Sequence, residues 1–172
     1  MNLQSNDFEL FGLTRQFAQD RNAIDTRWKE LQREAHPDKF AAYGASAQRV
    51  AMQWSVRINE AYQRLKNPLK RAAYLCELSG APINAHSNTA MPTAFLMQQI
   101  QWREALDDAQ SVAELEALTN QVNAAKAQLL QQCEDVIDTQ HQPAQAVSPV
   151  RALMFLDKFS QDLNQRFEAL ES

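Results

Sequence analysis

Between residues 21 and 66 the apolar side chains fall into two stripes at helical spacing, and His36-Pro37-Asp38 separates them. Ile24, Trp28, Leu31 and Ala35 form the first stripe, with Asp20 placed to accept hydrogen bonds from the first free backbone N–H groups. That spacing predicts a helix over about 21–35. Pro37 disfavours helical geometry at His36 and ends it. Downstream, Ala47, Val50, Ala51, Trp54, Ile58, Ala61, Tyr62 and Leu65 trace a second stripe that stops before Pro68. Two such helices joined by a short loop form an antiparallel hairpin, with His36 to Asp38 near its tip.

The rest of the chain reads as helix too. Only three glycines occur among 172 residues, and 45% hydrophobic content with 22% charge suits a globular, all-α protein. A short helix should end at Gly12, and another should run from about Pro68 to Ser79. The segment 81–91 is mixed in character and without periodicity, so it reads as a linker between domains at 1–80 and 92–172. Three further helices are expected: Pro92 or Thr93 to about Ala109, Ser111 to about Asp138, and Pro149 to about Leu170. Ser111 and Glu114 have capping-box spacing, and Ser148-Pro149 reads as a cap followed by a first-turn proline. The stripe of the middle helix is Leu115, Leu118, Val122, Ala125, Leu129 and Val136; that of the last is Leu156, Phe159, Leu163, Phe167 and Leu170. Short connections between the three predict an antiparallel bundle.

Charge is divided unevenly. Residues 1–80 carry 12 Lys+Arg against 9 Asp+Glu, and residues 81–172 carry 5 against 12. On the first long helix Lys29 and Arg33 fall opposite the apolar stripe and Arg27 on its flank, so its outer surface is basic. An acidic protein surface is the partner this invites. A nucleic-acid adaptor would need a denser basic stripe, and the acidic second half argues against one. No stretch approaches the ~20 apolar residues of a membrane span, and Met1 to Glu9 lacks a signal-peptide pattern, so a cytoplasmic protein is expected.

No residue cluster points to catalysis. His36 and Asp38 have no evident nucleophile or metal partner beside them; a solvated, helix-ending turn is the plain alternative. Cys76 and Cys133 lie far apart in sequence without a Cys-x-x-Cys pair, and read as buried free thiols. His86 and His141 lack metal-ligand spacing and read as solvent-facing loop residues.

The helix opening near Pro92 is anomalous. Phe95, Trp102 and Leu106 make one stripe, but Leu96, Met97 and Ile100 point elsewhere, framed by Arg103 and Glu104. Periodicity alone allows either an exposed apolar patch with a charged rim or a helix packed on two sides.

The runs Arg27-Trp28-Lys29-Glu30-Leu31, His36-Pro37-Asp38-Lys39-Phe40 and Ile58-Asn59-Glu60-Ala61-Tyr62, with Leu65, Pro68, Arg71 and Tyr74, resemble a J domain. With Phe8-Glu9-Leu10-Phe11-Gly12-Leu13, Thr93-Ala94-Phe95-Leu96-Met97 and Phe155-Leu156-Asp157-Lys158, the whole chain is similar to the HscB family, J-type co-chaperones of iron-sulfur cluster assembly. This resemblance implies a non-enzymatic adaptor with a four-helix J domain and a client-binding three-helix bundle. It implies that His36, Pro37 and Asp38 dock on the DnaK-type ATPase HscA, Asp38 offering its carboxylate to an arginine, with Arg27, Lys29, Arg33 and Lys39 steering the encounter. It further implies that Leu96, Met97, Ile100, Glu104 and Phe155 bind the scaffold IscU; Gln101 departs from the glutamate of relatives. Two distant cysteines cannot ligate a cluster, so no cofactor is expected here and the client must carry the metal. The rival within the same class is a J-domain co-chaperone serving another client or general folding.

Overall fold

The computed structural model describes residues 2–83 and 91–171. Among these residues every regular element is helical and no strand occurs. The chain divides into two compact units, Met1–Leu75 and Cys76–Ser172. The expected linker at 81–91 lies mostly outside the described residues, as does His86.

In the first unit, α1 (Asp7–Phe11) opens on a full capping box: Asn6 Oδ1 accepts from the Glu9 N–H at 2.9 Å, and Glu9 Oε2 accepts from the Asn6 N–H at 3.3 Å. It ends at Gly12, whose φ of 65° is the left-handed conformation a side chain would oppose. α2 (Arg21–Ala35) begins at the Asp20 cap, which accepts from the Asn22 N–H at 3.0 Å. α3 (Ala45–Lys66) follows, then α4 (Pro68–Leu78), whose residues to Leu75 belong to this unit. Between α2 and α3 runs a 3-10 segment, Pro37–Tyr43, longer than the plain turn expected.

Phe8, Leu10, Phe11, Ile24, Leu31, Ile58 and Leu65 form the buried core of this unit. Each such large side chain contributes roughly 1.5–3 kcal/mol on burial. Six stripe residues depart from the expected core, Ala35, Ala47, Trp54 and Tyr62 being half-buried. Val50 is 49% exposed. Trp28 is half-buried and stacks on Tyr62 with ring centroids 4.5 Å apart.

A fully buried carboxylate ties α1 to α3. Asp7 takes a two-pronged contact from Arg64, at 2.6 and 2.8 Å, and a third from Arg57 at 2.8 Å. Its backbone N–H donates to Tyr74 Oη at 3.0 Å, and Arg64 also lies 4.7 Å from the Tyr74 ring. The carboxylate raises the Arg64 pKa, while burial raises that of Tyr74. Buried Arg71 donates to the carbonyls of Phe17 and Leu65 at 2.6 and 2.5 Å, closing the end of α3.

In the second unit, α5 (Thr93–Asp108), α6 (Val112–Glu134) and α7 (Val147–Glu171) pack around Trp102, Leu106, Leu115, Leu118, Val122, Leu156, Phe159 and Leu163. Ser111 caps α6 as expected, accepting from the Glu114 N–H at 3.2 Å. The reciprocal arm differs: Glu114 Oε2 accepts from the Gln110 N–H at 2.8 Å, one residue before the cap.

The end of α6 also departs from expectation. It passes into a π turn, Asp135–Thr139, and a 3-10 turn, Pro143–Ala146. Cys133 and Ile137 take the buried positions there and Val136 is only half-buried, because the wider turn shifts the face. Ser148 and Pro149 accordingly lie inside the first turn of α7 rather than at its cap.

Candidate functional site

The first candidate site is the hairpin tip. His36 ends α2 with φ −60° and ψ 129°, the extended geometry forced on the residue before proline. Its Nδ1 accepts from the Asp38 N–H at 3.2 Å. The same ring nitrogen lies 3.7 Å from Asp38 Oδ2. Asp38 is 92% exposed and points its carboxylate into solvent. His36 shapes the turn and Asp38 is left free to meet a partner.

Beside it, Lys29, Arg33, His36 and Lys39 surround a shallow depression whose floor includes Trp28 and Gln32. Lys29, Arg33 and Lys39 are exposed, whereas half-buried Arg27 donates to Glu30 at 3.3 Å and lies outside this group. Trp28 has a support beneath it that spans two helices. Asp25 accepts from Arg21 at 2.9 Å and from Tyr62 Oη at 2.8 Å, holding Tyr62 against the Trp28 ring. The Arg21 guanidinium, then the Tyr62 hydroxyl, hold the Asp25 carboxyl below the usual range. The i, i+4 spacing of Arg21 and Asp25 was a visible signal; the reach to Tyr62 on α3 was not.

The second candidate site lies on the bundle. Leu96, Met97 and Ile100 on α5 are 43%, 57% and 59% exposed, and Phe155 on α7 is 48% exposed. Phe95 joins the two helices at this point: half-buried against the core, it meets the Phe155 ring edge-on at 6.4 Å. Glu104 and Gln101 are exposed on α5. Arg103 turns away to pair with Asp162 at 2.9 Å and lies 5.1 Å from the Phe159 ring, pinning α5 to α7. Of the two packings left open for α5, the second face is the exposed one.

No three His, Cys, Asp or Glu side chains gather in metal-binding geometry among the described residues. Cys76 and Cys133 are buried free thiols, and His141 is exposed in the left-handed region at φ 54°. Among the described residues no helix is long and apolar enough to cross a membrane.

Residues 91–164 match the family model of the HSCB C-terminal oligomerisation domain. The chain is 42% identical over 174 residues to the co-chaperone protein HscB homolog of Burkholderia thailandensis, covering 99% of each chain. It is 44% identical over 157 residues to the homolog of Bordetella petrii, covering 91% of this chain and 92% of that one. The structure of chaperone HscB from Vibrio cholerae is similar with a TM-score of 0.82 at 32% identity, covering 96% of this chain and 99% of that one. The crystal structure of human co-chaperone protein HscB has a TM-score of 0.90 at 23% identity, covering 96% and 84%, a likeness of fold.

Proposed function

The chain belongs to the HscB co-chaperone family, and from that membership we propose that it stimulates the ATPase of the DnaK-type chaperone HscA and delivers the scaffold IscU to it during iron-sulfur cluster assembly and transfer. In this reading residues 1–80 are the J domain that engages HscA, residues 92–172 hold the client, and the protein works in the cytoplasm as an adaptor without a catalytic centre of its own. The observation that carries the proposal is the Asp38 carboxylate, 92% exposed at the hairpin tip beside the Lys29, Arg33 and Lys39 depression.

The mechanism is one of docking. His36 Nδ1 and Pro37 fix the backbone of the turn, so that Asp38 meets an arginine of HscA through a charge-assisted contact. Lys29, Arg33 and Lys39 draw an acidic partner surface to the tip over roughly a Debye length, about 8–10 Å at physiological salt. IscU is received on Leu96, Met97, Ile100 and Phe155, with Glu104 on the rim. Three aliphatic side chains at roughly 1.5–3 kcal/mol each amount to a gross gain of about 5–9 kcal/mol. The entropy of association and ordering offsets much of that, which suits a transient client.

The test is steady-state ATP hydrolysis by HscA, with and without IscU, comparing wild type with Asp38→Asn. Stimulation that needs Asp38 and rises further with IscU supports the proposal. Stimulation indifferent to IscU would reassign the client, and no stimulation at all would reject the HscA role.

A further inference from the structure

The segment that carries Asp38 is loosely held. Pro37–Tyr43 contains no fully buried residue, and Asp38, Lys39, Ala41, Ala42 and Tyr43 are all exposed, Tyr43 to 75%. Behind it, Gly44 takes φ 99°, a joint that bulkier residues rarely adopt. A 3-10 run of this length has little intrinsic stability, so its placement depends on what its side chains grip.

Phe40 is the large apolar side chain of the segment that reaches inward. It lines an apolar groove of about 490 Å³ with Leu31, Ala35, Ala47, Trp54 and Ile58. Leu31 and Ile58 belong to the buried core, so Phe40 links the tip to the body of the hairpin. The Tyr43 ring lies beside it, tilted by 52°, with ring centroids 6.3 Å apart. On a 3-10 helix each residue turns about 120°, so Asp38 and Phe40, two positions apart, point in directions about 120° from one another. When Phe40 points into the groove, Asp38 faces solvent.

We propose that Phe40 is the positioning residue for Asp38: seated in the groove, it fixes the rotation of the tip segment and thereby the direction of the carboxylate. The inference rests on the tip being the HscA-docking site. With Phe40 on its wall the groove still holds about 490 Å³ of open space, so a smaller side chain leaves the segment several seats and only a fraction of molecules presents Asp38 correctly.

A graded series, Phe40→Leu, Phe40→Val and Phe40→Ala, tests it. If the competent fraction falls to about a tenth in the alanine variant, the concentration for half-maximal stimulation of HscA rises ~10-fold while maximal stimulation is unchanged. Leucine should stay within about twofold of wild type and valine fall between them. Amide hydrogen exchange of the free protein should show residues 39–43 exchanging faster in the alanine variant, with α2 and α3 protected as before. Half-maximal concentration independent of side-chain size, or unchanged exchange at the tip, would overturn the proposal. If wild type fails to stimulate HscA, the proposed function falls, and the exchange measurement still judges the anchoring by itself.

Discussion

Asp38 and Asp7 are carboxylates with opposite circumstances. Asp38 is solvated and makes no side-chain bond that the fold depends on, so Asp38→Asn should leave the circular dichroism spectrum and thermal midpoint unchanged while abolishing ATPase stimulation; a variant that still stimulates would refute its role. Asp7 is fully buried between two arginines, and Asp7→Asn leaves both under-neutralised. A loss of about 3 kcal/mol is expected in urea unfolding, the lower end for a broken buried pair because Arg64 is partly solvated. A loss within experimental error would show that the cluster is incidental. Burial pushes the Cys76 thiol up to about 11 and the Cys133 thiol up to about 12. Their stabilising effect is therefore complete below the ordinary thiol pKa of 9.0 and declines as pH rises from there toward 11–12, because the unfolded thiols deprotonate first. Native protein at pH 8 should resist iodoacetamide that labels both cysteines in urea; rapid native labelling would contradict their burial. The place of Asp38 just after the end of α2 was legible from its tripeptide, since proline sets the geometry locally. Asp7 was not, because its arginine partners lie on α3, fifty or more positions away.

At the scale of elements, helix boundaries followed local chemistry wherever a cap or proline dictated them, as at Asp20, Pro37, Pro68 and Ser111. They departed from it where tertiary packing chose among similar options: the π turn after Glu134 and the 3-10 segment after His36 have no strong local signature, and α7 starts before its Ser148-Pro149 signal. The exposed face of α5 shows the limit of periodicity. Two apolar faces were visible in the sequence, but which one the bundle covers depends on α6 and α7. On α2 the three basic residues predicted as one surface are not equivalent. Lys29 and Arg33 border the tip depression, whereas Arg27 is half-buried and paired with Glu30. Lys29→Ala and Arg33→Ala should each slow association with HscA severalfold at low salt, Arg27→Ala less, with the differences fading toward 1 M salt. Rates indifferent to salt would remove the steering role.

At the scale of the whole molecule, the chain combines a basic amino-terminal half with an acidic helical bundle; the first leaves Asp38 exposed and the second leaves Leu96, Met97 and Ile100 exposed. The all-helical character was legible from composition and periodicity because both are summed over many residues. The proposed function assigns the two features to different partners, so they should be separable by mutation. Leu96, Met97 and Ile100 are exposed, and replacing all three by alanine should leave folding intact. The most direct measurement is HscA ATPase activity against the concentration of this triple variant, with and without IscU. The account predicts wild-type stimulation in the absence of IscU and loss of the further rise that IscU produces with wild type. A full IscU-dependent rise, or stimulation lost even without IscU, would contradict the assignment of two separate sites.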